Sequence, residues 1–335
     1  MTPGAFTLSE GIKASRAGVG PDAPPRLGVL FTYANSEAAN LRVLGVAAAH
    51  GLPTVLDSGA WSVFNAGVKI DPVRHAKFVI DAAALYPHAR FLGLDVIYNP
   101  EETWRNWNLQ RDLGAPVEPT IHMPAGPEVA LRYVEAGLAT EWMNLGGLAG
   151  AQGVTSRVRA ATAWAATIRR ALPPEIKLHG LGTTTPYAND LMRFDGVDSS
   201  YWRVSLARYR TLPLFDPDKR RWARALVASA KPEYVRASKA DIHAMSRMLR
   251  RYYSTTPALL LEMTDERRLG LSLRSHAYFA DAYRHRHASY DTPIVYLAGA
   301  PTKADDPIWD EIARWSHNDP RGPVLTPPAE PFAVD

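Results

Sequence analysis

The stretch FLGLDVIYNP, residues 91–100, shows the pattern that decides the fold of this chain. A short apolar run at 91–94 ends in a carboxylate, Asp95, and apolar residues at helical spacing follow at 101–113. Short apolar runs bounded by turn signals are typical of buried strands. The stretch therefore predicts one strand–helix unit with an ionisable side chain at the carboxyl end of the strand.

This unit repeats along the chain from residue 27 onward. Apolar runs lie at 27–33, 54–56, 91–94, 117–121, 142–145, 177–181 and 196–197. Amphipathic stretches follow them at 37–50, 71–86, 101–113, 127–138, 154–172 and 186–194. Pro72 and Pro127 suit the first turns of two of these helices. Strands that alternate with helices in this way predict a parallel sheet in an α/β fold.

Two α/β architectures have this element order, a doubly wound open sheet and a (β/α)8 TIM barrel. A barrel builds its site from many strand ends, whereas a doubly wound fold uses one switch point and usually has a glycine-rich first turn. The first turn here, at 33–36, has no glycine. Polar or glycine residues end most of the predicted strands: Asp57-Ser58-Gly59, Asp95, His122, Gly146-Gly147, Gly180-Leu181-Gly182 and Asp198-Ser199. The sequence therefore predicts a TIM barrel.

The chain divides into four predicted segments. They are an irregular arm at 1–26, the main part of the barrel domain at 27–230, a basic helical insertion at 231–290, and the last strand and helix of the barrel with a Pro-rich tail at 291–335. Helical spacing predicts further helices at 241–253, 271–287 and 306–315. The eighth barrel strand lies either near 204–206 or at 293–298 (PIVYLA), and the sequence leaves both positions open.

The composition excludes several kinds of site. With 46% apolar and 21% charged residues among 335, the chain can form a packed core. It has no cysteine, which excludes disulfides, thiolate zinc sites, iron–sulfur clusters and a cysteine nucleophile. The pattern of a signal peptide is missing, and no run of about 18 apolar residues occurs. We therefore expect a cytoplasmic protein without membrane contact, in the host cytoplasm if a phage encodes it.

Basic residues concentrate in one part of the chain. The formal net charge is only +4, but residues 201–290 hold 18 Lys or Arg and 8 Asp or Glu. A basic block on a mildly acidic body favours a polyanionic partner. A solvated helical surface has the same composition, so charge alone leaves both interpretations open.

Three carboxylates, Asp57, Asp95 and Asp198, end three separate predicted strands. In a barrel these strand ends meet at one mouth. Convergent carboxylates suit chemistry at C1 of a sugar, where one attacks or stabilises the cationic centre and another moves a proton. A single Asp at a strand end can instead cap the next helix, but three of them with glycines between favour a site.

Four motifs in order resemble those of the tRNA-guanine transglycosylase superfamily, which are TIM-barrel enzymes. LDSGAWSVF resembles the family's DSGG-aromatic-Gln motif, NLGGLAG its GGLA segment, HGLGTTTP its MGVGTP segment, and GVDSSYW its FDS/FDC nucleophile segment. Together they span residues 27–210, which is more than half of the chain. The likeness is greatest to the zinc-free phage and bacterial branch that places 7-deazaguanine bases in DNA.

The resemblance implies a role for each matched position. Asp198 corresponds to the nucleophile that bonds to C1′, Asp57 to the acid–base residue, and Asp95 to the residue that reads the guanine edge. Trp61 and His179 correspond to the positions on either face of the base. The implied base-binding set is Asp95, Ser58, Gly59, Trp61, His122, Gly146, Gly147, Leu148, His179 and Gly180.

The chain also departs from the family pattern. The family's tRNA enzymes carry a cysteine-rich zinc subdomain after the nucleophile, and this chain without cysteine cannot form it. The basic block is the candidate replacement for its nucleic-acid contacts. Ala60 and Ser62 stand where the family has Gly and Gln. The arginines expected to contact nucleic acid are Arg203, Arg208, Arg210, Arg247, Arg250 and Arg251, with Arg267 and Arg268 nearby.

The function expected from the resemblance is a cofactor-free and metal-free pentosyltransferase. It would exchange guanine in DNA for a free 7-deazaguanine base, such as preQ0, through a covalent Asp–deoxyribosyl intermediate. Three alternatives stay open: a zinc-free tRNA-guanine (queuine) transglycosylase, a non-catalytic nucleic-acid-binding barrel, and a barrel glycoside hydrolase. The oligomeric state is open as well.

Overall fold

The computed structural model describes residues 27–66, 69–138, 141–148, 155–185, 192, 194–227, 239–284, 294–298, 303 and 305–316. The predicted N-terminal arm, the Pro-rich tail and most of the predicted helix at 186–194 lie outside these ranges. Within them, no helix is both long enough and apolar enough to cross a bilayer.

The main sheet is parallel throughout, with strand order β4-β3-β2-β1-β11-β8-β7-β6-β5. Strands β9 and β10 form a separate antiparallel hairpin. The bounds are β1 Leu27–Thr32, β2 Thr54–Asp57, β3 Arg90–Leu92, β4 Val117–Glu118, β5 Thr120–His122, β6 Trp142–Gly146, β7 Lys177–Gly180, β8 Gly196–Ser199, β9 Thr211–Asp216, β10 Arg221–Leu226 and β11 Ile294–Ala298.

The two ends of this sheet meet at Pro119, which separates β4 from β5. On one side the amide of Gly93 donates to the carbonyl of Glu118 at 2.8 Å, and on the other the amide of Asn144 donates to the carbonyl of Pro119 at 3.0 Å. Because β4 and β5 are successive parts of one strand position, the sheet curls into a nearly closed barrel of eight positions. The predicted (β/α)8 architecture is confirmed.

The eighth barrel strand is β11, one of the two positions that the sequence left open. It pairs with β1 through Leu27 and Val295, and with β8 through Asp198 and Tyr296. The other candidate, 204–206, lies in a helix. The apolar run PIVYLA suits a strand that neighbours cover on both sides, and this burial is what a parallel barrel strand provides.

Helices surround the barrel and begin where the sequence provides caps. Pro72, Pro100 and Pro127 occupy first turns, and the side chains of Asp71 and Asn99 accept hydrogen bonds from the first-turn amides of α3 and α4. The short helix Ala60–Ala66 was not predicted from the sequence. The bounds are α1 Glu37–Ala49, α2 Ala60–Ala66, α3 Pro72–Leu85, α4 Pro100–Asp112, α5 Pro127–Glu135, α6 Thr155–Ala171, α7 Tyr201–Tyr209, α8 Lys239–Tyr253, α9 Pro257–Glu262, α10 Asp265–Arg284 and α11 Ile308–Ser316.

Residues that lie between β8 and β11 along the chain form a second apolar cluster. It includes Leu212 and Leu214 of β9, Leu249 of α8 and Leu271 of α10. Further along α10, Phe279 belongs to the barrel core, so this helix joins both clusters. The cluster takes residues from both sides of position 230, where the sequence analysis divided the chain, and the β9–β10 hairpin within it was not predicted.

Candidate active site

Asp57, Asp95 and Asp198 come together at the carboxyl ends of the barrel strands. Asp57 is the last residue of β2, Asp198 lies in β8, and Asp95 follows β3 by three residues. Parallel strands direct all these ends to one mouth. The charges of Asp95 and Asp198 act on Asp57, so the three carboxylates form one electrostatic group.

The environment of Asp57 changes its protonation. Burial raises the pKa of Asp57 to about 7, and the carboxylates of Asp95 and Asp198 add to the rise. A hydrogen bond from the amide of Gly59 to Oδ2 at 3.1 Å opposes it. Near neutral pH the group therefore exists in both protonation states, as a general acid and base requires.

Asp95 is held by partners from two other strand ends. Its Oδ1 accepts a hydrogen bond from the Ser58 hydroxyl at 2.5 Å, and its Oδ2 lies 2.5 Å from Nε2 of His122. The side chain of Asp95 is nearly buried. Each carboxylate oxygen has a second lone pair, so Asp95 can still accept hydrogen bonds from a ligand.

The glycines of the NLGGLAG motif leave room for the His122 ring. A methyl group at Gly146 would overlap the His122 ring, so the ring can lie against β6 only because residue 146 has no side chain. Gly147 follows with a φ of +84°, which glycine adopts without strain. Leu148 is buried, and residues 149–154 lie outside the described ranges.

Two further glycines of the predicted site let the backbone pass close to neighbouring side chains. Gly59 has a φ of +89°, and a Cβ there would lie 2.9 Å from the Thr32 hydroxyl oxygen. At Gly180 a Cβ would lie 2.9 Å from a methyl carbon of Thr183. The backbone conformation beside the carboxylates therefore requires a glycine at both positions.

Asp198 is bound through one of its two oxygens. Its Oδ1 accepts from the amide of Gly182 at 2.9 Å and lies 3.2 Å from Nε2 of His179. No donor within the described residues reaches Oδ2. The arrangement fixes the carboxylate while leaving one oxygen available.

His179 does not lie where the resemblance placed it. Its exposure is 0%, and its ring stacks on Tyr296 at 5.1 Å between centroids with 24° between planes. Tyr296 covers one face of the ring, Nε2 contacts Asp198, and the whole side chain is buried, so no face of the ring is open to a base. We therefore revise its role from base stacking to support of Asp198.

Below His179 the barrel interior holds a polar network that was not predicted from the sequence. Arg90 forms a double salt bridge with Glu118, at 2.8 Å and 2.7 Å, and donates to Asn144 at 3.2 Å. Its guanidinium carbon lies 3.6 Å from the centroid of the Trp142 ring. Many barrels fill this space with branched apolar side chains. An arginine at the start of a short strand gives no local signal of such burial.

Trp61 lies on α2 at the mouth and is 60% exposed. Its ring stacks on Phe64, and Phe64 meets Tyr98 edge to face at 5.9 Å. Phe64 and Tyr98 are 54% and 72% exposed, and neither was predicted as a site residue. The three rings form one exposed aromatic group, which we call the aromatic rim.

A cavity of about 260 Å³ opens beside His122. Apolar residues including Val96, Ile121, Met123 and Val129 form most of its lining. An apolar cavity next to a few fixed polar groups is a common form of ligand site. Separately, no three His, Asp or Glu residues of the described segments are grouped so that they could hold a metal ion.

The six arginines predicted to contact nucleic acid fall into two groups. Arg203, Arg208, Arg247 and Arg250 are exposed. Two others are in surface ion pairs: Arg210 with Asp265 at 2.8 Å, and Arg251 with Asp218 at 2.9 Å. Arg267, at the start of α10, is exposed as well.

Arg268 must be removed from the candidate surface. It is 5% exposed, and its guanidinium donates to the carbonyls of Leu260 and Leu261 and to the carboxylate of Asp265. These bonds connect the start of α10 to the end of α9. Arg268 is therefore a structural residue.

No protein-family model matches this chain, and no curated protein matches its sequence.

Proposed function

We propose that this protein exchanges guanine in DNA for a free 7-deazaguanine base, in two displacements at C1′ of the deoxyribose. The observation that carries the proposal is the convergence of Asp57, Asp95 and Asp198 at one barrel mouth, with the pKa of Asp57 raised to about 7 by burial and by the other two carboxylates. This set contains a nucleophile, a proton carrier and an acceptor for a base edge.

In the first displacement, Asp198 acts as nucleophile. Its free oxygen Oδ2 attacks C1′, the C1′–N9 bond breaks, and protonated Asp57 gives its proton to the departing guanine. The product is a glycosyl ester on Asp198, and Asp57 is left as a carboxylate. The target nucleotide must leave the base stack for C1′ to reach the mouth.

The second displacement reverses these roles. The Asp57 carboxylate takes the proton from N9–H of the incoming 7-deazaguanine, N9 attacks C1′, and the ester bond to Asp198 breaks. Two displacements at the same carbon retain its configuration. A group with a pKa near 7 suits both half-reactions because it can hold or release the proton at neutral pH.

Asp95 is the residue we propose for recognition of the base. The Ser58 hydroxyl and the His122 ring hold its two oxygens in place at 2.5 Å each. The remaining lone pairs can accept from N1–H and the exocyclic amine of a guanine-like edge, a donor pair that adenine does not offer. The aromatic rim provides flat surfaces for exposed bases next to the site, where stacking contributes about 1–3 kcal/mol per base.

The exchange reaction itself tests this proposal. The protein is incubated with labelled guanine or labelled preQ0, with duplex DNA and tRNA in parallel, and the nucleic acid is digested to nucleosides. We expect label in deoxyguanosine or its 7-deaza analogue from DNA. Label in tRNA alone would transfer the proposal to the tRNA reaction, and label in neither would refute the exchange.

A further inference from the structure

The polar network under Asp198 forms a chain of contacts from one carboxylate to another. Glu118 binds Arg90 with both oxygens, Arg90 Nη1 lies 3.4 Å from Nδ1 of His179, and His179 Nε2 lies 3.2 Å from Oδ1 of Asp198. The side chains of His179 and Glu118 are nearly or completely buried. Each contact is therefore sheltered from solvent.

The direction of the hydrogen bonds along this chain follows from Arg90. A guanidinium has N–H donors and no acceptor. Nδ1 of His179 must then accept, so in a neutral ring the proton is on Nε2, the atom that faces Asp198. The ring thereby donates to Oδ1.

The surroundings of His179 also determine the charge of its ring. Burial lowers the pKa of His179 most, and the positive charge of Arg90 lowers it further, while the contact with Asp198 and the charge of Glu118 act in the opposite direction. A protonated ring would also bring an N–H of Nδ1 against the N–H groups of Arg90. Both considerations favour the neutral ring.

We propose that Arg90 fixes His179 in the neutral form that carries its proton on Nε2, and that His179 thereby positions Asp198 for attack through Oδ2. Oδ1 is occupied by His179 and by the amide of Gly182, which leaves Oδ2 as the reactive oxygen. His179 is thus a positioning residue, which acts through Asp198 without touching the substrate. The attack through Oδ2 rests on the proposed function, but the protonation of His179 does not.

The ring geometry supports this positioning role. Tyr296 stacks on His179, and its hydroxyl lies 3.4 Å from Arg90 Nη1. Tyr296 also pairs with Asp198 across β11 and β8. One residue of the neighbouring strand therefore holds both the ring and the cation that orients it.

Nitrogen NMR of histidine-labelled protein tests the protonation directly. Two-bond nitrogen–proton correlations distinguish a proton on Nε2, a proton on Nδ1 and a fully protonated ring, and the His179 signal is identified by its loss in His179→Gln. We expect the Nε2–H pattern, unchanged between about pH 6 and pH 8. A proton on Nδ1, or a protonated ring in this range, would overturn the proposal whatever the protein catalyses.

Two variants test the positioning role through formation of the covalent complex with DNA. His179→Gln keeps an N–H donor near the position of Nε2, whereas His179→Leu removes it. We expect His179→Leu to slow complex formation by about 10- to 100-fold, the effect of losing one hydrogen bond to a charged group, and His179→Gln to restore most of the rate.

The control for these variants is His276→Leu, which removes another fully buried histidine, on α10, whose Nδ1 lies 2.8 Å from the carbonyl of Ser272. It should leave the rate per folded molecule unchanged, as judged by the thermal transition of each variant. Equal rates for His179→Gln and His179→Leu would refute positioning by a donor. Absence of any complex in wild type, with the Nε2–H pattern present, would refute only the attack through Oδ2.

Discussion

His122 Nε2 lies 2.5 Å from Oδ2 of Asp95, and this contact joins the ends of two neighbouring strand positions at the mouth of the barrel. Ser58, from a third strand end, holds the other oxygen of Asp95. The base-reading carboxylate is therefore fixed before a ligand arrives. Such preorganisation reduces the conformational entropy that binding would otherwise lose.

The first prediction concerns Gly146. In Gly146→Ala the new methyl group overlaps the His122 ring, which must move and release Asp95. We expect binding of the free base, measured by calorimetry, to weaken at least tenfold. Gly270→Ala is the control, because Ala is favoured in a helix and the nearest atom to its Cβ beyond the adjoining helix backbone is 3.9 Å away. Unchanged affinity in Gly146→Ala would show that the His122–Asp95 contact does not serve base binding.

The second prediction concerns stability and pH. Because burial raises the pKa of Asp57 from 3.8 to about 7, the folded protein keeps a proton there that the unfolded chain releases between these values. The free energy of unfolding attributable to Asp57 therefore decreases as pH rises from about 4 to about 7. Asp57→Asn removes this contribution.

Urea denaturation at about pH 5 and about pH 8 measures the effect. From the lower to the higher pH, Asp57→Asn should lose less stability than wild type does. Asp81→Asn, on the exposed surface of α3, should behave as wild type. If Asp57→Asn and wild type have the same pH dependence, Asp57 is an ordinary ionised carboxylate and unsuited to the proposed proton transfer.

The third prediction concerns the exposed arginines of α8. Arg247 and Arg250 are three residues apart and so lie on one face of the helix. If they bind phosphates, the double change to Gln should weaken DNA binding and reduce the slope of log affinity against log salt by about 2. Base choice should stay the same.

Arg42→Gln with Arg105→Gln is the matched control. Both arginines are exposed on barrel helices, and the pair removes the same charge from the molecule. Fluorescence anisotropy with a labelled duplex, over a salt series, gives the slopes. Equal slopes for the two double variants would show that α8 presents only a solvated surface.

The local pattern of an apolar run followed by a polar residue was enough to predict the barrel and the places of Asp57, Asp95 and Asp198. It could not predict contacts made between distant strands. The approach of Arg90 to His179 at 3.4 Å and the stacking of His179 on Tyr296 both join strands that are far apart in the sequence. The family resemblance placed His179 against a base, and only these contacts show that its ring is covered.

The burial of Arg268 also could not be predicted from its neighbours in the sequence. Its position in a basic helical stretch predicted exposure, yet the carbonyls at the end of α9 bind its guanidinium. The β9–β10 hairpin was not predicted because neither strand shows a regular alternation of apolar and polar residues. The two strands pair from Thr211 with Leu226 to Asp216 with Arg221.

The central claim is that Asp198 bonds to the deoxyribose while Asp57 only moves protons. Wild type, Asp198→Asn and Asp57→Asn are each incubated with a guanine-containing duplex and run on a denaturing gel. We expect a protein–DNA band with wild type and none with Asp198→Asn. Asp57→Asn should give the band but exchange bases about 10²–10⁴-fold more slowly. A band of wild-type intensity with Asp198→Asn would contradict the claim.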